Sequence, residues 1–269
     1  MTRIISLGIV ALLATTMVRQ SSSQTRWLPP RNYNSIVLEV IKPSFESSGT
    51  SFWSSAAVLT GQFGVGAESN TFITVDFPIS HLGVDGGDTE TAIGNPYVGV
   101  TILDANNPVI YEAGVRLPIA SENLGAITGT VADFDRFEAY TPDNLSITGS
   151  LIYFPSRSGD WVLQTRMGPT VLYNTGDPGE LDARADLFVN YSLNTWYFTG
   201  ALQAGFGLSG RLLITDDASL SDRIAHQVGA AAQYDFVSVI PGVHIRLPLD
   251  DSLSDVVDLV FGVNVTVPL

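Results

Sequence analysis

From Asn34 onward the chain alternates apolar and polar side chains with a period of two, which marks half-buried strands. The last segment shows it most plainly. Val257, Leu259, Phe261, Val263, Val265, Val267 and Leu269 fall on one face, and Asp258, Gly262, Asn264 and Thr266 on the other. Val239, Val243, Ile245 and Leu247 oppose Ser238, Gly242, His244 and Arg246; Val109, Tyr111, Val115, Leu117 and Ile119 oppose Glu112, Gly114 and Arg116. Trp196, Phe198, Leu202 and Phe206 read as one apolar face against Tyr197, Thr199, Gln203 and Gly205. The pattern predicts twelve strands, over 35–43, 51–64, 70–79, 92–103, 108–119, 143–155, 160–173, 183–193, 195–208, 222–234, 237–249 and 256–268. Each is about 10 to 14 residues long, against about 5 to 6 for a strand of a soluble domain. That length suits a strand tilted across a bilayer, and an even count returns both ends of the chain to one side.

The connections alternate as well. Those after even-numbered segments are predicted as short turns: Gly66-Ala67-Glu68-Ser69, Asp104-Ala105-Asn106-Asn107, Ser156-Arg157-Ser158-Gly159, a turn at Asn194, and Asp235-Phe236. Those after odd-numbered segments are longer and acidic, namely 80–91, 120–142, 175–182 and 209–221, with 250–255 a brief one. A soluble sandwich has no reason to alternate this way. Trp53, Trp161, Tyr173, Trp196 and Tyr234 stand near segment ends, where interface girdles would lie. The expected fold class is therefore all-β: a closed antiparallel transmembrane β-barrel of about 12 strands, with one short helix in a long extracellular loop.

Composition narrows the function classes. Charged residues are 15 % of the 269, and the formal net charge of −14 argues against nucleic acid as a partner. There is no cysteine, so no disulfide scaffold, thiolate metal site or cysteine nucleophile is available. Thr2-Arg3, an apolar run from Ile4 to Val18, and small residues at Ser21 and Ser23 read as a signal peptide over 1–23, leaving a barrel over 24–269. That places the protein in the outer membrane of a Gram-negative-type envelope, with outer-membrane lipid and a small-molecule solute as partners.

Charges on the polar strand faces would point inward. Glu39, Asp76, Glu112, Arg116, Arg166, Arg184, Asp186, Arg223, His244, Arg246 and Asp258 form the candidate lumen ladder. It either pairs internally or sets selectivity, and both can hold. The connection 120–142 exceeds the usual loop length. Within it Ile127, Val131, Phe134, Phe137 and Tyr140 recur at helical spacing, with Ser121 as a candidate N-cap. This helix either plugs the lumen or lies on the rim. His226 points outward with no serine beside it on its strand, His81 is read as a loop residue, and three scattered histidines make no metal site. No enzyme activity, metal or cofactor is expected. The pairs Asp216-Asp217 and Asp250-Asp251 read as solvated loop acids.

Three rising segments end alike, in Asp76-Phe77-Pro78-Ile79, Arg116-Leu117-Pro118-Ile119 and Arg246-Leu247-Pro248-Leu249. Ile93-Gly94-Asn95-Pro96-Tyr97-Val98-Gly99-Val100, the strand ending in Arg116-Leu117-Pro118, and Pro241-Gly242-Val243-His244-Ile245-Arg246-Leu247-Pro248-Leu249 followed by a final hairpin resemble the outer-membrane barrel family associated with aromatic (phenol meta-pathway) degradation. That family is loosely similar to the fatty-acid and hydrocarbon channels. The resemblance spans about Ile93 to Leu269, and the chain departs from it in ending in Leu269 rather than an aromatic residue. It implies a channel or facilitator for passive uptake of small molecules, hydrophobic or aromatic ones among them. The alternative is a non-transporting surface protein with acidic partner-binding loops.

Overall fold

The computed structural model describes residues 27–29, 31–45, 52–66, 70–84, 86–87, 89–104, 107–176 and 185–269. The expected signal peptide and Arg184 lie outside them. Thirteen strands make one antiparallel sheet: β1 (Ser35–Ser44), β2 (Phe52–Val65), β3 (Thr71–Val84), β4 (Thr89–Ile93), β5 (Tyr97–Leu103), β6 (Val109–Arg116), β7 (Asn144–Ser158), β8 (Trp161–Asn174), β9 (Ala185–Thr199), β10 (Leu202–Leu213), β11 (Ile224–Tyr234), β12 (Ile240–Pro248) and β13 (Leu259–Pro268). β1 pairs with both β2 and β13, which closes the sheet. Closure satisfies the backbone of every spanning strand, a condition lipid imposes because it offers no hydrogen bonds.

β4 and β5 count as one wall strand. Both pair with β3, β4 with 79–83 and β5 with 71–76, and they are separated only by Gly94-Asn95-Pro96. The barrel is thus twelve-stranded. The missing amide of Pro96 suits the break. Along the free edge of β4 the chain after β6 returns as a cover: Leu117 N–H donates to Pro96 O, and Ser121 N–H to Ile93 O.

The period-two pattern becomes the two faces of the wall. Phe261, Val263, Val265 and Val267 are exposed while Gly262, Asn264 and Thr266 are buried, and Val243, Ile245 and Leu247 are exposed against buried His244 and Arg246. The exterior is an apolar belt and the interior mostly polar, the arrangement of a transmembrane barrel. Trp161 and Tyr173 stand exposed at opposite ends of β8, and Tyr234 at the end of β11.

Three local expectations need correcting. The turn expected at Asn194 lies at Gly200-Ala201, with Gly200 at φ 54°. That two-residue turn shifts phase, so Trp196 and Phe198 share the inward face while Leu202 and Phe206 face out. Trp196 is 2 % exposed, packed over inward Gly205, and belongs to the lumen rather than a girdle. The β3–β4 hairpin runs further than expected, which places His81 in β3, hydrogen-bonded to Thr91 Oγ1 at 3.0 Å, rather than in a loop.

The long connection carries α1 (Leu124–Ala132) and then a 3₁₀ segment, Phe134–Ala139. Single-turn helices α2 (Leu220–Arg223) and α3 (Asp251–Ser254) lie in two other connections at the same end. The N-cap of α1 is Asn123, whose Oδ1 accepts from Ala126 N at 3.1 Å, rather than Ser121. The buried face of α1 is Gly125, Ala126, Thr128, Gly129 and Ala132. Small residues let its backbone lie close to the wall, and the bend at Asp133 splits the expected apolar stripe. Ile127 is exposed, Val131, Phe134 and Phe137 are half-buried, and Tyr140 is fully buried.

Candidate functional site: the lumen and the segment folded into it

Residues 124–140 fold inward. Ala132, Ala139 and Tyr140 pack with Ile41 of β1, Ala56 of β2 and Val260 of β13 in an apolar cluster inside the barrel. Below Ala132 the segment turns polar and meets the wall charges. Arg136 donates from Nη2 to Glu39 Oε2 and from Nε to Asp133 Oδ2, both at 2.5 Å. Arg246 reaches Asp133 Oδ1 at 3.1 Å and Ala132 O at 3.2 Å. Arg211 donates to Glu138 Oε2 at 2.9 Å and to Asp135 O at 3.1 Å. Ser209 Oγ donates to Asp135 Oδ1 at 2.9 Å. Strands β1, β10 and β12 therefore all hold this one segment through buried charged or polar groups. Burial opposes the ionised form of Asp133, but Arg136 and Arg246 outweigh it and hold the carboxyl below its usual range. Glu138 is likewise held low against its burial by Arg211 and Arg116.

A second occupant approaches along the chain before β1. Trp27 is buried, its ring lies over inward Gly229, and its Nε1 donates to Asp135 Oδ2 at 2.6 Å. Arg31 is also buried, and its carbonyl accepts from Gln62 Nε2 at 3.3 Å. The two occupants meet at Asp135. Toward the turns of β5–β6 and β7–β8, Phe72, Leu103, Ile110, Ile152 and Phe154 form a second buried apolar cluster.

Asn95, in the gap between β4 and β5, ties the segment at both ends. Its Oδ1 accepts from Ile119 N and Ala120 N, each at 2.8 Å. Its Nδ2 donates to Glu138 O at 3.0 Å and Thr141 O at 2.7 Å. Asn95 N–H also donates to Ala139 O at 2.6 Å. The neighbouring position must be glycine, because a Cβ on Gly94 would collide with Ala139 O. The backbones meet there with no room between them.

The predicted ladder residues divide into groups. Glu39 and Arg246 bind the inserted segment, and His244 lies beside Glu39 with Nδ1 3.7 Å from Oε1. Asp76 and Arg116 pair at 3.3 Å, Asp76 also accepting from Thr60 Oγ1 at 2.8 Å and Arg116 donating to Asn95 O at 3.0 Å. Glu112 pairs with Arg166, joined by Ser150. Asp186, Arg223 and Asp258 stand at the rim instead. Asp186 accepts from Thr215 Oγ1, Arg223 donates to Asp216 O, and Asp258 is exposed beyond α3. Sequence reasoning missed Asp133, Asp135, Arg136 and Glu138 as ladder members, along with Arg211, Trp27 and the tie at Asn95.

Between the 3₁₀ segment and the β6–β9 wall a cavity of about 30 Å³ remains, bordered by Tyr97, Glu112, Ser150, Arg166 and Asn190. A single water needs about 10–15 Å³ measured this way. This cavity has room for about two or three waters.

No family model matches the chain, and no curated protein does. Solved structures do. An outer membrane channel from Pseudomonas putida F1 is 12 % identical, with 93 % of this chain and 100 % of that chain covered and a TM-score of 0.62. The KdgM porin is 11 % identical, covering 87 % of this chain and 99 % of its own, at a TM-score of 0.54. The NanC porin is 10 % identical, covering 88 % and 100 %, at 0.53. At these identities the likeness is one of fold: the chain is built as outer-membrane barrel channels and porins are built.

Proposed function

We propose that this protein is an outer-membrane channel for passive passage of small solutes, closed in the present conformation by residues 120–142. The observation that carries the reading is the clasp on that segment. Charged and polar groups of β1, β10 and β12 converge on it, and the cavity between its 3₁₀ part and the β6–β9 wall is only about 30 Å³. A connection that only coated the rim would have no need of buried counter-charges on three strands.

The solute class proposed is small aromatic acids. Arg211 is stacked at 4.1 Å over the Phe137 ring, with the Phe188 ring at 5.3 Å and the Phe134 ring at 5.9 Å from its guanidinium carbon. Its Nε and Nη1 are buried and make no hydrogen bond to the protein. Aromatic faces beside a guanidinium with open donors suit a planar anion. The resemblance to barrels of aromatic-degradation pathways supports the same class. The mostly polar lumen gives an extended aliphatic chain little to bind. The closed lumen also favours a second reading, a non-transporting surface protein. Liposome swelling separates the two. With protein reconstituted, aromatic acids are expected to swell liposomes faster than sugars of similar mass. Swelling by neither would leave the surface-protein reading.

A further inference from the structure

At the barrel end that carries the short turns, Gly159-Asp160 joins β7 to β8 and Gly200-Ala201 joins β9 to β10. Asp160 and Gly200 are exposed, as turn tips in water should be. Trp161 and Tyr197 stack beside them, with ring centroids 4.8 Å apart, and mark the aromatic girdle at this end. The connection from β11 to β12 is different. Tyr234 closes β11 on the outward face, out of phase with buried Gln233, and Phe236 stacks on it at 4.7 Å. Phe236 is 57 % exposed and Val237 is 86 % exposed. Here the apolar surface runs past the strand end and onto the turn.

The backbone holds these side chains out at a cost. Val237 has φ 75°, in the left-handed region that suits glycine or asparagine and disfavours a β-branched residue. Local hydrogen bonds fix the shape. Asp235 Oδ1 accepts from Val237 N–H at 2.6 Å, Phe236 N–H donates to Val239 O at 3.0 Å, and Ser238 N–H donates to Phe236 O at 2.9 Å. Glycine or asparagine at 237 would make the same turn more easily, so the valine is explained by what its side chain meets. One partner is continuous with it. The exposed belt reaches this rim through Val243 of β12 and through Val265 and Val267 of β13, and that belt is the surface lipid covers. Short turns face the periplasm in outer-membrane barrels, and the leaflet on that side is phospholipid.

We infer that the turn from Asp235 to Ser238 is a membrane anchor, which seats Phe236 and Val237 at the boundary of headgroups and acyl chains in the periplasm-facing leaflet. Removing their apolar surface from water is favourable in proportion to its area. The anchor sets how deep the barrel sits on its β11–β13 side. It stands apart from the lumen, so it neither needs nor tests the channel reading.

The chain has no cysteine, so one introduced cysteine carries a single nitroxide spin label. Val237→Cys and, as a second reading, Phe236→Cys are labelled in the full-length barrel, with Asp160→Cys as the turn expected in water. Each is reconstituted in vesicles of phosphatidylethanolamine and phosphatidylglycerol, and heat-modifiable gel migration confirms that it folds. Oxygen, which partitions into lipid, and a nickel chelate, which stays in water, relax the label and report its depth. The labels at 236 and 237 are expected about 5–10 Å deeper than the label at 160, the depth to which interfacial apolar groups sink. They should respond to oxygen more than to nickel, and the label at 160 the reverse. Equal response to nickel at all three positions overturns the anchor, and would leave the patch to a periplasmic protein.

Discussion

Replacing Arg136 with alanine is expected to release the inserted segment from the lumen. Arg136 is the central cation of the buried ladder, bridging Glu39 on β1 to Asp133 within the segment. Its removal strips buried Glu39 of its arginine in a water-poor interior, while Asp133 keeps Arg246. Breaking a buried pair from one side destabilises by about 3–5 kcal/mol, because the remaining charge keeps its desolvation penalty without a partner. The barrel wall has its own interstrand hydrogen bonds and keeps its form. The segment does not, since its hold on the wall is this ladder, the small apolar cluster at Tyr140 and the tie at Asn95. Limited proteolysis should therefore cut within 124–139 in Arg136→Ala and spare the unaltered protein. Arg136→Lys should fall between, as an ammonium cannot grip both carboxylates with the guanidinium fork. Equal resistance of all three would mean that the ladder does not hold the segment.

Replacing Asn95 with alanine should loosen the segment by a different route. The side chain makes four hydrogen bonds, two at the start of the connection and two at its end. At about 1 kcal/mol net for each, the loss approaches that of the charge pair. The partners fix the amide orientation: Ile119 and Ala120 present N–H groups to Oδ1, and Glu138 and Thr141 present carbonyls to Nδ2. Asn95→Asp keeps the first pair and sets a carboxylate against two carbonyls, so it should free the end of the segment and leave its start tied. Hydrogen exchange measured along 117–143 reads this directly. Faster exchange throughout is expected for Asn95→Ala, and faster exchange confined to 134–143 for Asn95→Asp. No change in Asn95→Ala would remove Asn95 from the account.

The wall was legible in the sequence because its physics is local. A strand between lipid and lumen alternates, and all twelve predicted segments overlap the observed strands, with a turn misplaced at β9–β10. The slip at Asn194 has a cause. Trp196 and Phe198 are apolar yet face the lumen, so the apolar set appeared continuous across a turn that reverses it. The contents of the lumen were less legible because their partners are distant in sequence. Asp133, Asp135 and Glu138 look like any solvated loop acids, and only their contacts with Arg246, Ser209 and Arg211 make them ladder residues. One signal was available. Among the described residues the wall places four inward arginines, Arg116, Arg166, Arg211 and Arg246, against three inward acids, Glu39, Asp76 and Glu112, so some counter-charge had to come from a connection. Asn95 was visible only as part of a recurring motif. Its use depends on the break in β4–β5 and the return of the chain after β6, neither of which periodicity reports.

The central claim is that residues 120–142 close an otherwise conducting barrel. Single-channel conductance of a variant lacking 124–139, compared with the unaltered protein in the same planar bilayer, tests it most directly. The account predicts a stable open level for the deletion, well above that of the unaltered protein. An unchanged conductance would contradict it.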